Sequence, residues 1–306
     1  MFRSIALFSV IVGLIAIEWS HADDQSPGKD TAENAVRVMS FNIRYGTASD
    51  GENDWMHRRE FLLQTITGFH PDLLGTQETL AMQKTFLANA LPEYESIGVG
   101  RVDGKDDGEM MAIYFRRDRF EKVSEGHFWL SDTPEKVGSV SWDSSLPRMV
   151  TWVVLKDRKQ TDSPEIAFLN THFDHRGANA RLMSSKLIRR TIGTKFTGMS
   201  IVLTGDFNTE EDSAPYNALF APQSEAIDQI PAGHSPVVDS FRAANPQRTE
   251  NEGTFSGFNS AITAGPRIDW IGVSRDWTIM KAEINRTSKD GKTPSDHFPI
   301  TAVIHR

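Results

Sequence analysis

The sequence predicts a single α/β domain, and three observations carry that expectation. Apolar runs of strand length alternate with stretches of helical periodicity along most of the chain. Several of these runs are unbroken by polar residues, as in strands covered on both faces. Neither an internal repeat nor an interior linker divides the pattern.

The elements follow in order. Arg3 precedes an apolar run at 5–17, and Ser20-His21-Ala22 leads into the polar Asp23-Asp24-Gln25. A positive start, an apolar run and small residues at its end describe a secretory signal peptide, cleaved after Ala22. The run holds about 13 apolar-rich residues against the roughly 20 that span a bilayer, which argues against stable membrane insertion. Residues 23–34 then read as a polar linker and 35–306 as the domain, exported to the periplasm or the medium. Strands are expected at 36–41, 73–76, 110–115, 151–155, 166–171, 200–204, 268–273 and 300–304.

A helix is expected at 58–68, where Phe61, Leu62, Ile66 and Phe69 recur at helical spacing before Pro71 stops them. A second begins near Thr79 and carries Met82, Phe86, Leu87 and Ala90. A third spans 178–196, with Leu182, Leu187 and Ile188 inward and Arg189, Arg190 and Lys195 on a solvated face. The stretch 206–260, rich in Pro, Gly, Asn and Ser, reads as long loops around a short helix. Trp55, Trp129, Trp142 and Trp152 are read as core side chains in preference to stacking platforms.

Composition narrows the function classes. With 306 residues, 39% hydrophobic and 24% charged, the chain is long enough to bury a sizeable core. Its formal net charge of -8 is opposite to that of a dedicated nucleic-acid binder, which needs cations to neutralise phosphates. There are no cysteines, so thiolate metal sites and cysteine nucleophiles are excluded. Any metal must be held by oxygen or imidazole, which points to magnesium, manganese or calcium over structural zinc.

The apolar runs end in polar residues of a recurring kind. The first strand runs into Asn42, the second into Gln77-Glu78, the fifth into His172 and Asp174, and the sixth into Gly205-Asp206-Phe207-Asn208. Ser295-Asp296-His297 precedes the last. Singly, each is equally a turn former or a cap. Five together point to one pocket at the strand ends. Phosphoester cleavage explains the residue types. Glu78 and Asp296 offer hard oxygens to a divalent ion, Asp206 can orient or deprotonate water, and Asn208 can donate to a phosphoryl oxygen. His172 and His297 can donate to transition-state oxygens or act as acid or base, with Asp269 holding the His297 ring. No nucleophile elbow and no His-Glu-x-x-His helix appears, so direct attack by water is expected.

The chain resembles the endonuclease/exonuclease/phosphatase superfamily in Ser40-Phe41-Asn42-Ile43-Arg44, Gln77-Glu78, Asn170-Thr171-His172, Gly205-Asp206-Phe207-Asn208, Arg267-Ile268-Asp269 and Ser295-Asp296-His297. These pieces occur in the family's order and cover nearly the whole chain after residue 35. The resemblance implies a four-layer α/β sandwich, two mixed sheets face to face with helices outside. It implies a pocket gathering Asn42, Glu78, His172, Asp206, Asn208, Asp269, Asp296 and His297. It also implies magnesium, or manganese in its place, held by Glu78 with Asp296, and Asn42 beside both metal and substrate.

A bacterial branch of the family is closer still, through Asp50-Gly51-Glu52-Asn53-Asp54-Trp55 with Arg58, Gly98-Val99-Gly100-Arg101, the run from Phe128 to Pro134, Pro147-Arg148 and His172-Phe173-Asp174-His175 with Arg181. Arg44, Arg101, Arg148 and His175 suit either an anionic substrate group or salt bridges to neighbouring carboxylates. The leading expectation is a monomeric, metal-dependent phosphodiesterase or phosphatase. A nuclease on DNA or RNA, including a deadenylase-like exoribonuclease, is the enzymatic alternative, and a non-catalytic binding module is the third.

Overall fold

Side chains alternate between the two faces of a strand, and that period decides how this chain divides its apolar and polar residues. The computed structural model describes residue 1, residues 34–222 and residues 235–306. The expected signal peptide and most of the linker fall outside the described residues. In chain order the elements are β1 (Val36–Asn42), a 3-10 turn (Gly51–Asn53), α1 (Trp55–Phe69), β2 (Leu73–Thr79), α2 (Ala81–Ala90), β3 (Tyr94–Ile97), β4 (Met110–Arg116), β5 (Phe120–Trp129), β6 (Met149–Asp157), β7 (Ile166–His172), α3 (Ala178–Lys195), β8 (Ser200–Asp206), α4 (Ala214–Phe220), β9 (Val238–Asp239), α5 (Ser240–Ala244), β10 (Asp269–Val273), β11 (Thr278–Ile284) and β12 (Ile300–His305).

They form two six-stranded mixed sheets, ordered β11-β12-β1-β2-β4-β3 and β5-β6-β7-β8-β10-β9. Between the sheets lie Val36, Val38, Leu73 and Phe115 from the first, and Val153, Phe168, Val202 and Ile271 from the second. The outer face of the first sheet packs Met39, Phe41 and Leu74 against Leu62 and Ile66 of α1 and Leu87 of α2. On the second, Leu169 and Leu203 pack against Leu187, Ile188 and Ile192 of α3. At about 1.5–3 kcal/mol per fully buried aliphatic or Phe side chain, these three layers of contact hold the fold together. The architecture is the four-layer sandwich with helices outside that the resemblance implies.

The inter-sheet face turns polar towards one end. On β1 the inward series runs Val36, Val38, Ser40, Asn42; on β7, Ile166, Phe168, Asn170, His172; on β8, Val202, Thr204, Asp206. β7 and β8 are parallel, with His172 opposite Asp206, and β10 runs antiparallel to β8, with Asp269 opposite Asp206. The sheets are bridged just below that end, where Gln77 Nε2 donates to Asn170 Oδ1 (2.6 Å) and Asn170 Nδ2 donates to the carbonyls of Thr76 (2.8 Å) and Ala112 (2.9 Å). Gly75 permits this closeness, since a Cβ there would stand 2.1 Å from Thr204 Oγ1.

The structure corrects several local expectations. α1 begins at Trp55, which puts Arg58 inside its first turns and buries it. Thr79 still pairs with Met110 in the sheet, so α2 starts only at Ala81. Arg189, expected in solvent, is buried and donates to the carbonyls of Ala218 (3.2 Å) and Ala221 (2.6 Å), joining α3 to the end of α4. The loop-rich stretch carries two short helices, α4 and α5, around a segment outside the described residues. Among the described residues no helix is long and apolar enough to cross a membrane.

Candidate active site

Asp206, at the end of β8, is the hub. Its Oδ2 accepts from Asn42 Nδ2 (2.9 Å) and its Oδ1 from the backbone N–H of Asn208 (3.0 Å). Asn208 sits at φ +49°, a left-handed conformation that Asn tolerates better than most residues. That turn brings its Nδ2 to His172 Nε2 (3.0 Å) and to the Phe173 carbonyl (3.1 Å). An amide NH₂ can only donate, so His172 accepts at Nε2 and keeps its proton on Nδ1. On the other side of Asp206, His297 Nε2 stands 3.7 Å from Oδ2, while its Nδ1 bonds Asp269 Oδ2 at 2.9 Å.

The two imidazoles are driven apart in charge. Burial, helped by Arg148 and Arg101, holds His172 well below its ordinary pKa, so it is neutral. Burial also opposes a charge on His297, but Asp269 and Asp206 outweigh it and hold that ring well above its ordinary pKa. Asp206 is pushed up to about 7 by burial and by Asp269, against the pull of His297. The cavity therefore presents a neutral ring, a charged ring and, between them, a carboxyl that changes state near neutrality.

Glu78 and Asp296 form the other half of the site. β2 is irregular between Thr76 and Thr79, and Glu78 there takes φ +58°. Such a bulge re-aims a side chain that strict alternation would send to the helix-covered face. Glu78 Oε1 accepts from Asn42 Nδ2 (3.1 Å) and Oε2 from the Tyr45 N–H (3.0 Å). Asp296 has Arg44 Nε at 3.7 Å, and burial together with Glu78 raises its pKa despite His297 and Arg44. Two hard carboxylates facing one cavity with a deficit of positive charge fit a divalent ion of the magnesium type. Asp206, Asp269 and His297 also offer ligand atoms within 4.8 Å of one another. We favour Glu78 and Asp296, because His297 Nδ1 already bonds Asp269 and the ring's charge occupies the space between the other two carboxylates.

Arg58 holds two of the segments that reach the site in register. Buried, it donates from Nε to the Asn53 carbonyl (2.9 Å), from Nη1 to those of Ile43 (2.7 Å) and Pro294 (3.2 Å), and from Nη2 to that of Arg44 (2.9 Å). It thus ties the chain after Asn42 to the chain before Asp296, and burial lowers its pKa to about 10. Lysine offers one nitrogen where four carbonyls need a fork. Arg58→Lys is expected to raise the divalent-metal concentration for half-maximal activity about tenfold, the usual scale for groups that orient metal ligands. An unchanged metal titration would remove Arg58 from this role.

A cavity of about 790 Å³ gathers Arg44, Glu78, Arg148, His172, His175, Asp206, Asn208, Asp296 and His297, all expected from the sequence. Three expected residues lie elsewhere. Asp269 is beneath the floor, where its contact with His297 places it. Asn42 is fully buried, turns Oδ1 to the Arg44 N–H (3.0 Å) and, through Nδ2, spaces Glu78 from Asp206. Arg101 is buried and paired with Glu109 at 2.8 Å, behind the residues that line the cavity. Arg44 lines the cavity and is held by both Asp50 oxygens at 3.0 Å.

Glu109 is the residue the sequence reading missed. Its Oε2 faces His172 Nδ1 at 3.8 Å, and burial raises its pKa, with Arg101 opposing and Glu78 adding. It immediately precedes β4, and an antiparallel strand begins at the end where its neighbour finishes. Searching only the carboxyl ends of strands passes over it. The loop residues Phe255, Ile262, Ala264 and Pro266, which line the cavity along with Tyr45, Leu146 and Ile268, had no sequence signal. Trp55, Trp129 and Trp152 are buried, as read.

Comparison with known proteins agrees with this geometry. The profile of the Endonuclease/Exonuclease/phosphatase family matches residues 39–297. A family protein from Bacteroides thetaiotaomicron superposes with TM-score 0.79 at 32% identity, covering 89% of this chain and 98% of its own. A mannosyl-6-phosphatase from the same organism does so with TM-score 0.79 at 33% identity, covering 89% of this chain and 100% of its own. Among curated sequences, an uncharacterized protein of Acanthamoeba polyphaga mimivirus is 27% identical over 189 residues, 58% of this chain and 68% of that one. The match of sequence and fold across almost the whole described domain shows that the chain belongs to the endonuclease/exonuclease/phosphatase family.

Proposed function

We propose that this protein is a magnesium-dependent hydrolase of small organic phosphoesters, with sugar monophosphates the first substrates to test. The observation that carries this is the cavity's charge. Among its lining residues the strong cations are Arg44 and Arg148, each already beside carboxylates, and no lysine is present. A polynucleotide would find no basic track there, whereas one phosphate with a bound cation is matched. The similarity to a mannosyl-6-phosphatase over the whole of that chain supports the monoester reading. The leader-like residues 1–22 support action outside the cytoplasm.

The residues divide the chemistry as follows. A divalent ion held by Glu78 and Asp296 would neutralise phosphate charge and stabilise the leaving oxygen. Asp206 takes a proton from the attacking water, which its position between two rings and a pKa of about 7 suit. Asn208 Nδ2, by donating to His172 Nε2 and to the Phe173 carbonyl, fixes the neutral His172 ring beside Asp206. His297, kept charged by Asp269, donates at Nε2 to developing negative charge.

Purified protein assayed with magnesium, manganese or chelator on mannose 6-phosphate, p-nitrophenyl phosphate, bis(p-nitrophenyl) phosphate, DNA and RNA tests this. The expected result is metal-dependent phosphate release from the monoesters, abolished by chelator. Preferred cleavage of DNA or RNA, weakening steeply with salt, would favour a nuclease instead. Inertness towards every ester would favour a binding module.

A further inference from the structure

The catalytic row, His297–Asp206–His172, has two unlike ends. At one, the Phe255 ring packs edge-on against the His297 imidazole with centroids 5.3 Å apart. It remains 51% exposed, and Ile262, lining the same cavity, is 46% exposed. Single exposed apolar residues are ordinary, but here three of them, with Leu146 at 38%, line a polar cavity, and Phe255 and Ile262 are the most exposed.

At the other end Arg148 Nη2 lies 3.0 Å from His175 Nδ1. A guanidinium can only donate, so His175 accepts at Nδ1 and carries its proton on Nε2. The ring is exposed, which leaves that N–H for a ligand. Arg148 itself is buried, and its Nε and Nη1 have no acceptor. The reason is Asp174, 3.5 Å from Nε, whose oxygens are taken by the N–H groups of Ser145, Arg176 and Gly177 and the Ser145 hydroxyl. Those two nitrogens are shut off from the cavity, so the donor that this end presents to a ligand is the His175 Nε2–H, which Arg148 orients.

We propose that these two ends form a sugar subsite, in which Phe255 and Ile262 take the C–H face of a pyranose ring and the His175–Arg148 edge binds its hydroxyls. The inference rests on the phosphoester-hydrolase reading of the same site and assigns its leaving group. A pyranose carries both an apolar face and a rim of acceptors, which is the pair of surfaces the cavity offers. A nucleoside would use the aromatic wall but leave the donor edge with fewer hydroxyls to hold.

The test compares kcat/KM for glucose 6-phosphate with that for p-nitrophenyl phosphate, whose leaving group has no hydroxyls. Phe255→Ala and His175→Ala are each expected to lower the sugar-to-nitrophenyl ratio at least tenfold, mainly through KM. His175→Gln, which restores an N–H donor, should recover part of that loss. Equal losses on both esters, or no loss on either, would overturn the subsite. So would a loss confined to mononucleotides. If the wild type hydrolyses neither ester, the hydrolase reading falls by itself. Calorimetric binding of glucose 6-phosphate then decides the subsite, which requires at least tenfold weaker binding in both alanine variants.

Discussion

Asp206→Asn is expected to lower turnover about 10²–10⁴-fold, the range for losing a positioned general base, while leaving the protein folded. It should also make the protein more stable, and the pH at which it does so is specific. An Asp whose pKa is raised from 3.8 to about 7 keeps its proton in the fold at pH values where the unfolded chain has released it. The native state therefore loses stability as pH rises from about 4 through about 7, and the loss is complete above that. Asn imitates the protonated acid and escapes it. At pH 8 the variant should be more stable by on the order of 2 kcal/mol, discounting the full shift because His297 shares the burden. That is a rise in Tm of roughly 2–4 °C per kcal/mol for a domain of this size. Near pH 4 the two melting curves should coincide. Activity of the wild type should fall as pH drops through the Asp206 pKa, with the limb moved to lower pH by a bound cation. A variant that is inactive and also less stable at pH 8 would mean that Asp206 is a structural anion and not a strained base.

The distribution of what was legible has a physical cause. The eight strands expected from the sequence are β1, β2, β4, β6, β7, β8, β10 and β12, the interior strands of the two sheets. Covered on both faces, they read as unbroken apolar runs. The four that were not expected, β3, β5, β9 and β11, are the four sheet edges. The middle of β5, Glu121 to Glu125, is exposed, and β11 buries only Ala282, so neither carries an apolar run. In the site, residues that continue an inward-facing series were legible, as with Asn42, His172 and Asp206. Their position followed from strand period, but Asn42's role did not, because period cannot say which end of an amide faces a neighbour. Glu109 was lost because the strand's direction was unknown, and Arg189 because a long arginine can turn back to carbonyls of a helix remote in sequence.

The metal assignment makes the second large prediction. Binding to the native state alone raises stability by RT ln(1 + [L]/Kd), about 2.7 kcal/mol at a hundred times Kd. Magnesium or manganese should therefore raise the Tm of the wild type by several degrees, and chelator should reverse it. If Glu78 and Asp296 hold the ion, Glu78→Gln and Asp296→Asn each remove most of that rise and most of the activity. Without metal Asp296→Asn should melt no lower than the wild type, since burial and the nearby Glu78 already raise the Asp296 pKa. Asp269→Asn distinguishes the alternative. On the assignment made here, Asp269 holds only His297, so this variant loses turnover but keeps the metal-dependent rise in Tm. The reverse pattern, in which Asp269→Asn abolishes the rise and Glu78→Gln does not, would move the ion to the Asp206, Asp269 and His297 cluster. His297 would then be a ligand and its proton would have to leave on binding, so metal affinity would climb with pH well beyond the range in which two carboxylates alone would titrate.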